Sequence, residues 1–184
     1  MRRVAGLVAV VLAGASACAQ APATAPATST QAAIVKSLQA SWNTAKGYIT
    51  QSAEVMPEEH YGFRPVDTVR TFGEILAHLA GANHNFCAAA KGTSSKVAED
   101  QFEKGAKTRG EIVKALADSI AYCDSVFDGL TDAQLTDSIE MPFGMGKDAR
   151  SAAILGNIGH LNEHYGNLVT YMRMKGIVPP SSRR

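Results

Sequence analysis

Four stretches of this chain space their apolar residues as a helix does, and none shows convincing strand alternation. In the first, Ile34, Leu38, Trp42, Ala45, Ile49 and Met56 keep the period until Pro57 stops it. The second carries Phe72, Ile75, Leu76, Leu79 and Phe86. The third carries Ile112, Val113, Leu116, Ile120, Cys123 and Phe127. The fourth runs from about Asp148 to Lys175, with Ile154, Ile158, Leu161, Tyr165, Leu168 and Met172 as its stripe. Gly176 is a natural cap for it, and Pro179 and Pro180 prevent continuation. Four apolar stripes must be buried on one another, so the expected fold is all-α, a four-helix bundle.

Two of the helices announce their starts in the same way. Thr71-Phe-Gly-Glu74 and Thr108-Arg-Gly-Glu111 both read as capping boxes, in which a threonine and a glutamate satisfy each other's free backbone N–H groups. The likeness stops there: His78 aligns with Ala115, so we read no repeat. Between the two helices, residues 92–107 form a polar, low-complexity loop. Residues 131–147 are read as irregular, with Met141-Pro-Phe-Gly-Met-Gly146 as a turn-rich tip.

The N-terminal residues should not join this fold. Met1-Arg-Arg is a charged start, Val4 to Ala15 an apolar run too short to span a bilayer permanently, and small residues follow. Residues 1–19 therefore read as a signal peptide, cut before Cys18 or before Gln20. Cys18 also allows a lipoprotein reading, in which it is acylated and becomes the mature N-terminus. Residues 20–30 are an Ala/Pro/Thr-rich spacer, which leaves residues 31–184 as one domain. The expected location is outside the cytosol, periplasmic or lipid-anchored, with membrane contact only through the leader or a lipid. A net charge of +1 and the absence of Arg/aromatic interleaving exclude nucleic acid as a partner.

Export bears on the cysteines. The mature domain has two, Cys87 and Cys123, an even pair that an oxidising compartment would join; the alternative is two small buried hydrophobes. Cys87 lies 16 residues past Thr71, and Cys123 lies 15 past Thr108. Parallel second and third helices would set the thiols level. Antiparallel ones would part them by roughly 18 Å, beyond the ~7 Å Cα limit of a bridge. The long 92–107 connection suits a parallel return, so we expect a Cys87–Cys123 bond and a parallel pair.

The chemistry lies in the histidines. His160 and His164 are four apart in Gly159-His-Leu-Asn-Glu-His-Tyr-Gly166 and share one helix face; His78 sits in Ile75-Leu-Ala-His-Leu-Ala80. At ~100° per residue all three fall on the flanks of their stripes, roughly 90–130° from the centre, where a cleft between two helices can hold an ion. Three imidazoles would make an all-nitrogen set with an open position. The plainer alternative is half-buried flank residues without a ligand. His60 is read as a loop residue, and His84 points away from its stripe and is expected to be exposed.

These residues also carry a resemblance. Met56-Pro-Glu-Glu-His-Tyr-Gly-Phe-Arg-Pro65, Val69-Arg-Thr-Phe-Gly-Glu-Ile-Leu-Ala-His-Leu-Ala80, Met141-Pro-Phe-Gly144, His160-Leu-Asn-Glu-His-Tyr-Gly-Asn167 and Tyr171-Met-Arg-Met-Lys-Gly-Ile-Val-Pro-Pro180 follow in an order and spacing that resemble the DinB-like (DinB/YfiT) superfamily. The resemblance covers nearly the whole mature domain. It implies an up-down-down-up four-helix bundle and a metal held by His78, His160 and His164. The family often follows its last ligand region with Gly-Gln, whereas here Gly166 precedes Asn167. Some relatives are transferases or isomerases that use a cytosolic thiol, a role that an export signal argues against here.

Three functions compete. In the first, a divalent ion, zinc before nickel, activates water for a hydrolase or transferase acting on an unidentified small molecule. Glu163 is the nearest candidate base; the plainer reading is a solvated carboxylate. In the second, His160-Leu-Asn-Glu-His164 marks an inverted zinc peptidase, but such enzymes need a further acidic ligand far downstream, and only twenty residues follow His164. In the third, the protein is a non-enzymatic, exported metal- or small-ligand-binding module. Pairing with a second copy as a homodimer stays open.

Overall fold

The computed structural model describes residues 28–183, with side chains from residue 33 on. The expected signal peptide, Cys18 and most of the spacer lie outside the described residues. Helix α1 (Thr28–Val55) includes the last three residues assigned to the spacer. After it come α2 (Phe72–Lys91), a five-residue α3 (Gln101–Gly105), α4 (Arg109–Asp128) and α5 (Arg150–Met174). Both expected capping boxes are closed, Thr71 with Glu74 and Thr108 with Glu111. Gly176, at φ 73°, turns the chain out of α5. Among the described residues no helix is long and apolar enough to cross a membrane.

Specific pairs define the topology. Gly73 lies against Ile112, the Asn83 amide donates to Ser119 Oγ at 3.1 Å, and Cys87 meets Cys123. Both numbers rise together, so α2 and α4 are parallel. Between α1 and α4 they run in opposition: Gln39 bonds the Phe127 carbonyl, Trp42 bonds Asp124, and Arg109 reaches the Ala53 carbonyl. Likewise Phe86 packs on Gly156 while the Tyr171 hydroxyl donates to the Arg70 carbonyl just ahead of α2. The bundle is therefore up-down-down-up. Its core includes Trp42 stacked on Phe127 at 4.7 Å and Tyr48 stacked on Tyr165 at 4.8 Å.

Three local readings change. The 92–107 loop contains α3, a single turn and a half whose length is below what periodicity can reveal. Within 131–147 and just after it, Ser138–Glu140 pairs antiparallel with Lys147–Ala149 as a ribbon, β1 and β2. Strands of three residues carry too few alternations to read. Because β2 occupies 147–149, α5 starts at Arg150 rather than near Asp148. The ribbon's tip holds Phe143 at φ 59°, a left-handed conformation uncommon for an aromatic residue.

Candidate metal centre

His78 projects from α2, and His160 and His164 from α5, one turn apart on the same face. Their ligand atoms all lie within 4.8 Å of one another. His78 Nε2 is 3.0 Å from His160 Nε2, and His164 Nε2 is 3.1 Å from the same atom. The three rings meet edge to face, with centroids 4.5–5.0 Å apart. His78 and His164 are buried, and His160 is half-buried.

The outer nitrogens differ. His78 Nδ1 is 2.9 Å from Glu103 Oε1, and a carboxylate only accepts, so Nδ1 carries a proton, which in the neutral ring leaves the lone pair on Nε2. Glu103 is in turn held by Arg70, whose Nε donates to Oε2 at 2.8 Å. The Asn167 side-chain amide lies 3.3 Å from His164 Nδ1. His160 Nδ1 is buried without a hydrogen-bond partner.

Three Nε2 atoms turned toward one another can share a cation. A proton on His160 or His164 serves poorly. Burial, and then the positive charge that His164, His78 and Arg70 would contribute, lowers the His160 pKa to about 3. Burial, then His78, lowers His164 to about 4 against the opposing pull of Glu163. A divalent ion serves well: nitrogens ~2.0–2.1 Å from one ion at a tetrahedral angle stand ~3.3–3.4 Å apart, a few tenths from the spacing seen. The donor set therefore fits a metal ion.

The site opens onto a cleft of about 590 Å³ lined by Arg70, Glu74, Glu103, His164, Asn167 and Tyr171. A slightly larger cavity of about 620 Å³, bordered by Ser94, Ser95 and Lys147, includes none of the three histidines. We take the smaller as the approach to the centre because His164 lines it.

Other expected site residues lie elsewhere. Glu163 is exposed on α5, and the carboxylate in hydrogen-bond contact with the triad is Glu103 instead. Sequence reading passed over Glu103 because it sits in an aperiodic loop, 25 residues from its partner. His84 is half-buried rather than exposed, stacked on Tyr122 at 5.3 Å, and burial lowers its pKa. Its neighbours come from α3 and α4, which a stripe on α2 does not reveal. His60 is half-buried in its connecting turn, apart from the centre. Cys87 and Cys123 are joined, with Cα atoms 5.4 Å apart, and the Asn157 amide lies 3.4 Å from Cys87 Sγ.

Known proteins share this architecture. A family model described as the DinB superfamily matches residues 38–168. The uncharacterized protein YjoA of Bacillus subtilis (strain 168) is 23% identical over 125 residues, 67% of this chain and 79% of that one. A crystal structure of YjoA superimposes with a TM-score of 0.62 at 19% identity, covering 80% of this chain and 99% of that one. A DinB-like protein from Bacillus cereus ATCC 10987 gives 0.62 at 18% identity, over 79% and 95%. A mycothiol-dependent maleylpyruvate isomerase gives 0.60 at 12% identity, over 73% of this chain and 60% of that one. At these identities the solved structures bear on the fold alone.

Proposed function

The chain belongs to the DinB superfamily, and from that premise we propose that it is an exported divalent-metal protein that carries out a hydrolase or transferase reaction on a small molecule. The observation behind this reading is the meeting of three Nε2 atoms beside an open cleft. His78, His160 and His164 would hold the ion, zinc as first choice and nickel as second, because all-nitrogen ligation suits both. A bound divalent ion supplies Lewis acidity, which polarises a carbonyl or phosphoryl oxygen. The protein's own part is to keep two of the imidazoles neutral by burial and to border the approach with Arg70, Asn167 and Tyr171. Export rests on the charged start, apolar run and small-residue site of residues 1–19. Mass spectrometry of the mature N-terminus tests it, and an acyl mass on Cys18 would make the protein a lipoprotein.

One observation favours the second reading, a binding module without turnover. Both carboxylate oxygens of Glu103 are engaged, by His78 and Arg70, so the acid nearest the centre is not a free base. Metal analysis of protein purified without a histidine tag tests the metal. Hydrolase and thiol-transferase panels on loaded protein then separate the two readings: turnover lost in His164→Ala supports an enzyme, and no histidine-dependent turnover supports the module.

A further inference from the structure

The connection between α2 and α4 is fastened to α2 along a single face. His78, Gly81 and Asn85 are spaced i, i+3, i+7 and so line one side of the helix. The loop lies on that side. Asn85 Nδ2 donates to the Val97 carbonyl at 3.2 Å. At Gly81 the approach is so close that an added Cβ would overlap the Glu99 carbonyl oxygen. Phe102, in α3, packs beside the His84 ring at 5.9 Å. The next residue of α3 is Glu103, which reaches His78 Nδ1, and Arg70 braces its other oxygen.

We propose that residues 92–107 form a positioning arm for the metal centre. The arm sets Glu103 on His78, holds that imidazole in the Nδ1–H tautomer with a bare Nε2 toward the other two histidines, and so raises metal affinity. Carboxylates hydrogen-bonded to a ligating histidine orient the ring and make it a better donor, and their loss costs about 10–100-fold in affinity. Glu103 is a positioning residue: it acts on the ion through His78. The proposal rests on the metal reading of the three histidines.

Two measurements test it. Zinc affinity is read by competition with a chromophoric chelator for the wild type, Glu103→Ala, Glu103→Gln and Gly81→Ala. Glu103→Ala should bind about 10–100-fold more weakly. Glu103→Gln, which keeps an acceptor but not the charge, should fall between it and the wild type. Gly81→Ala should weaken binding although it alters no ligand, because its Cβ displaces the arm. Long-range ¹H–¹⁵N spectra of the metal-free protein at alkaline pH then report the tautomer directly. His78 should carry its proton on Nδ1 in the wild type and lose that preference in Glu103→Ala. Affinities within twofold of wild type in both Glu103→Ala and Gly81→Ala would overturn the proposal, as would a wild-type His78 protonated on Nε2. If the wild type binds neither zinc nor nickel, the metal reading fails by itself, and the tautomer spectra still decide whether Glu103 positions His78.

Discussion

Helices α2 and α4 begin with the same signal, have the same length and run side by side, yet the fold uses them differently. Each is twenty residues long behind a Thr-x-Gly-Glu box. Sixteen residues of α2 are buried against seven of α4, because α2 meets α4, α5 and the loop carrying α3, while α4 leaves one side to solvent. A histidine on the flank of α2 is therefore enclosed by α5 and Glu103; at the aligned place α4 has Ala115. Capping and period define where a helix is. The number of neighbours decides whether its flank can become a site, since only an enclosed imidazole is held in one orientation.

The bond between these helices gives the largest expected effect. Replacing Cys87 and Cys123 together by serine should lower unfolding stability by about 3–4 kcal/mol, the chain-entropy value for a loop of this length. Denaturant titration with and without reductant measures it. Retained stability would mean that the parallel pair is held by packing alone.

Ligand substitutions separate the flanks next. His78→Ala on α2 and His164→Ala on α5 should each weaken zinc binding by more than about 100-fold, beyond the 10–100-fold of a lost outer partner. Ala115→Ser, at the aligned place on α4, should leave binding unchanged, as should His60→Ala and His84→Ala. Calorimetry on tag-free protein reads all five, and equal affinity in His164→Ala would remove the centre.

Enclosure also predicts a pH dependence. The folded pKa values of His160 and His164 lie below the ~6.5 of an unfolded imidazole, so the unfolded chain takes up protons first as pH falls. Their contribution to stability is whole above about pH 6.5 and is lost progressively toward pH 4 to 3. The melting temperature of metal-free protein should follow that course, and His160→Ala should flatten it. Reference histidines would lose metal below pH ~6.5; burial moves proton competition at His160 and His164 to lower pH, so a metal titration at pH 5.5 should still show binding.

The smallest effect contrasts the two box glycines. At Gly110 on α4 an added Cβ meets nothing, and Gly110→Ala should stabilise by ~0.5–1 kcal/mol through helix propensity. At Gly73 on α2 the Cβ would stand 3.1 Å from Ile112 Cδ1 and 3.2 Å from the Tyr61 carbonyl oxygen, so Gly73→Ala should forfeit that gain. Thermal melts of the two variants compare them directly.

Much of this was readable before any coordinates. The four long helices, both capping boxes and the grouping of His78 with His160 and His164 follow from local rules of period and spacing, helped by the family resemblance. The level heights of Cys87 and Cys123 followed from counting residues along two helices. What those rules do not reach is anything set by a neighbour distant in the chain. Glu103 meets His78, and His84 lies between Tyr122 and Phe102, only because a loop without period folds back on α2. Periodicity records which face of a helix is apolar; it holds no record of which aperiodic segment will cover the remaining faces, and that covering decides which side chains meet the histidines.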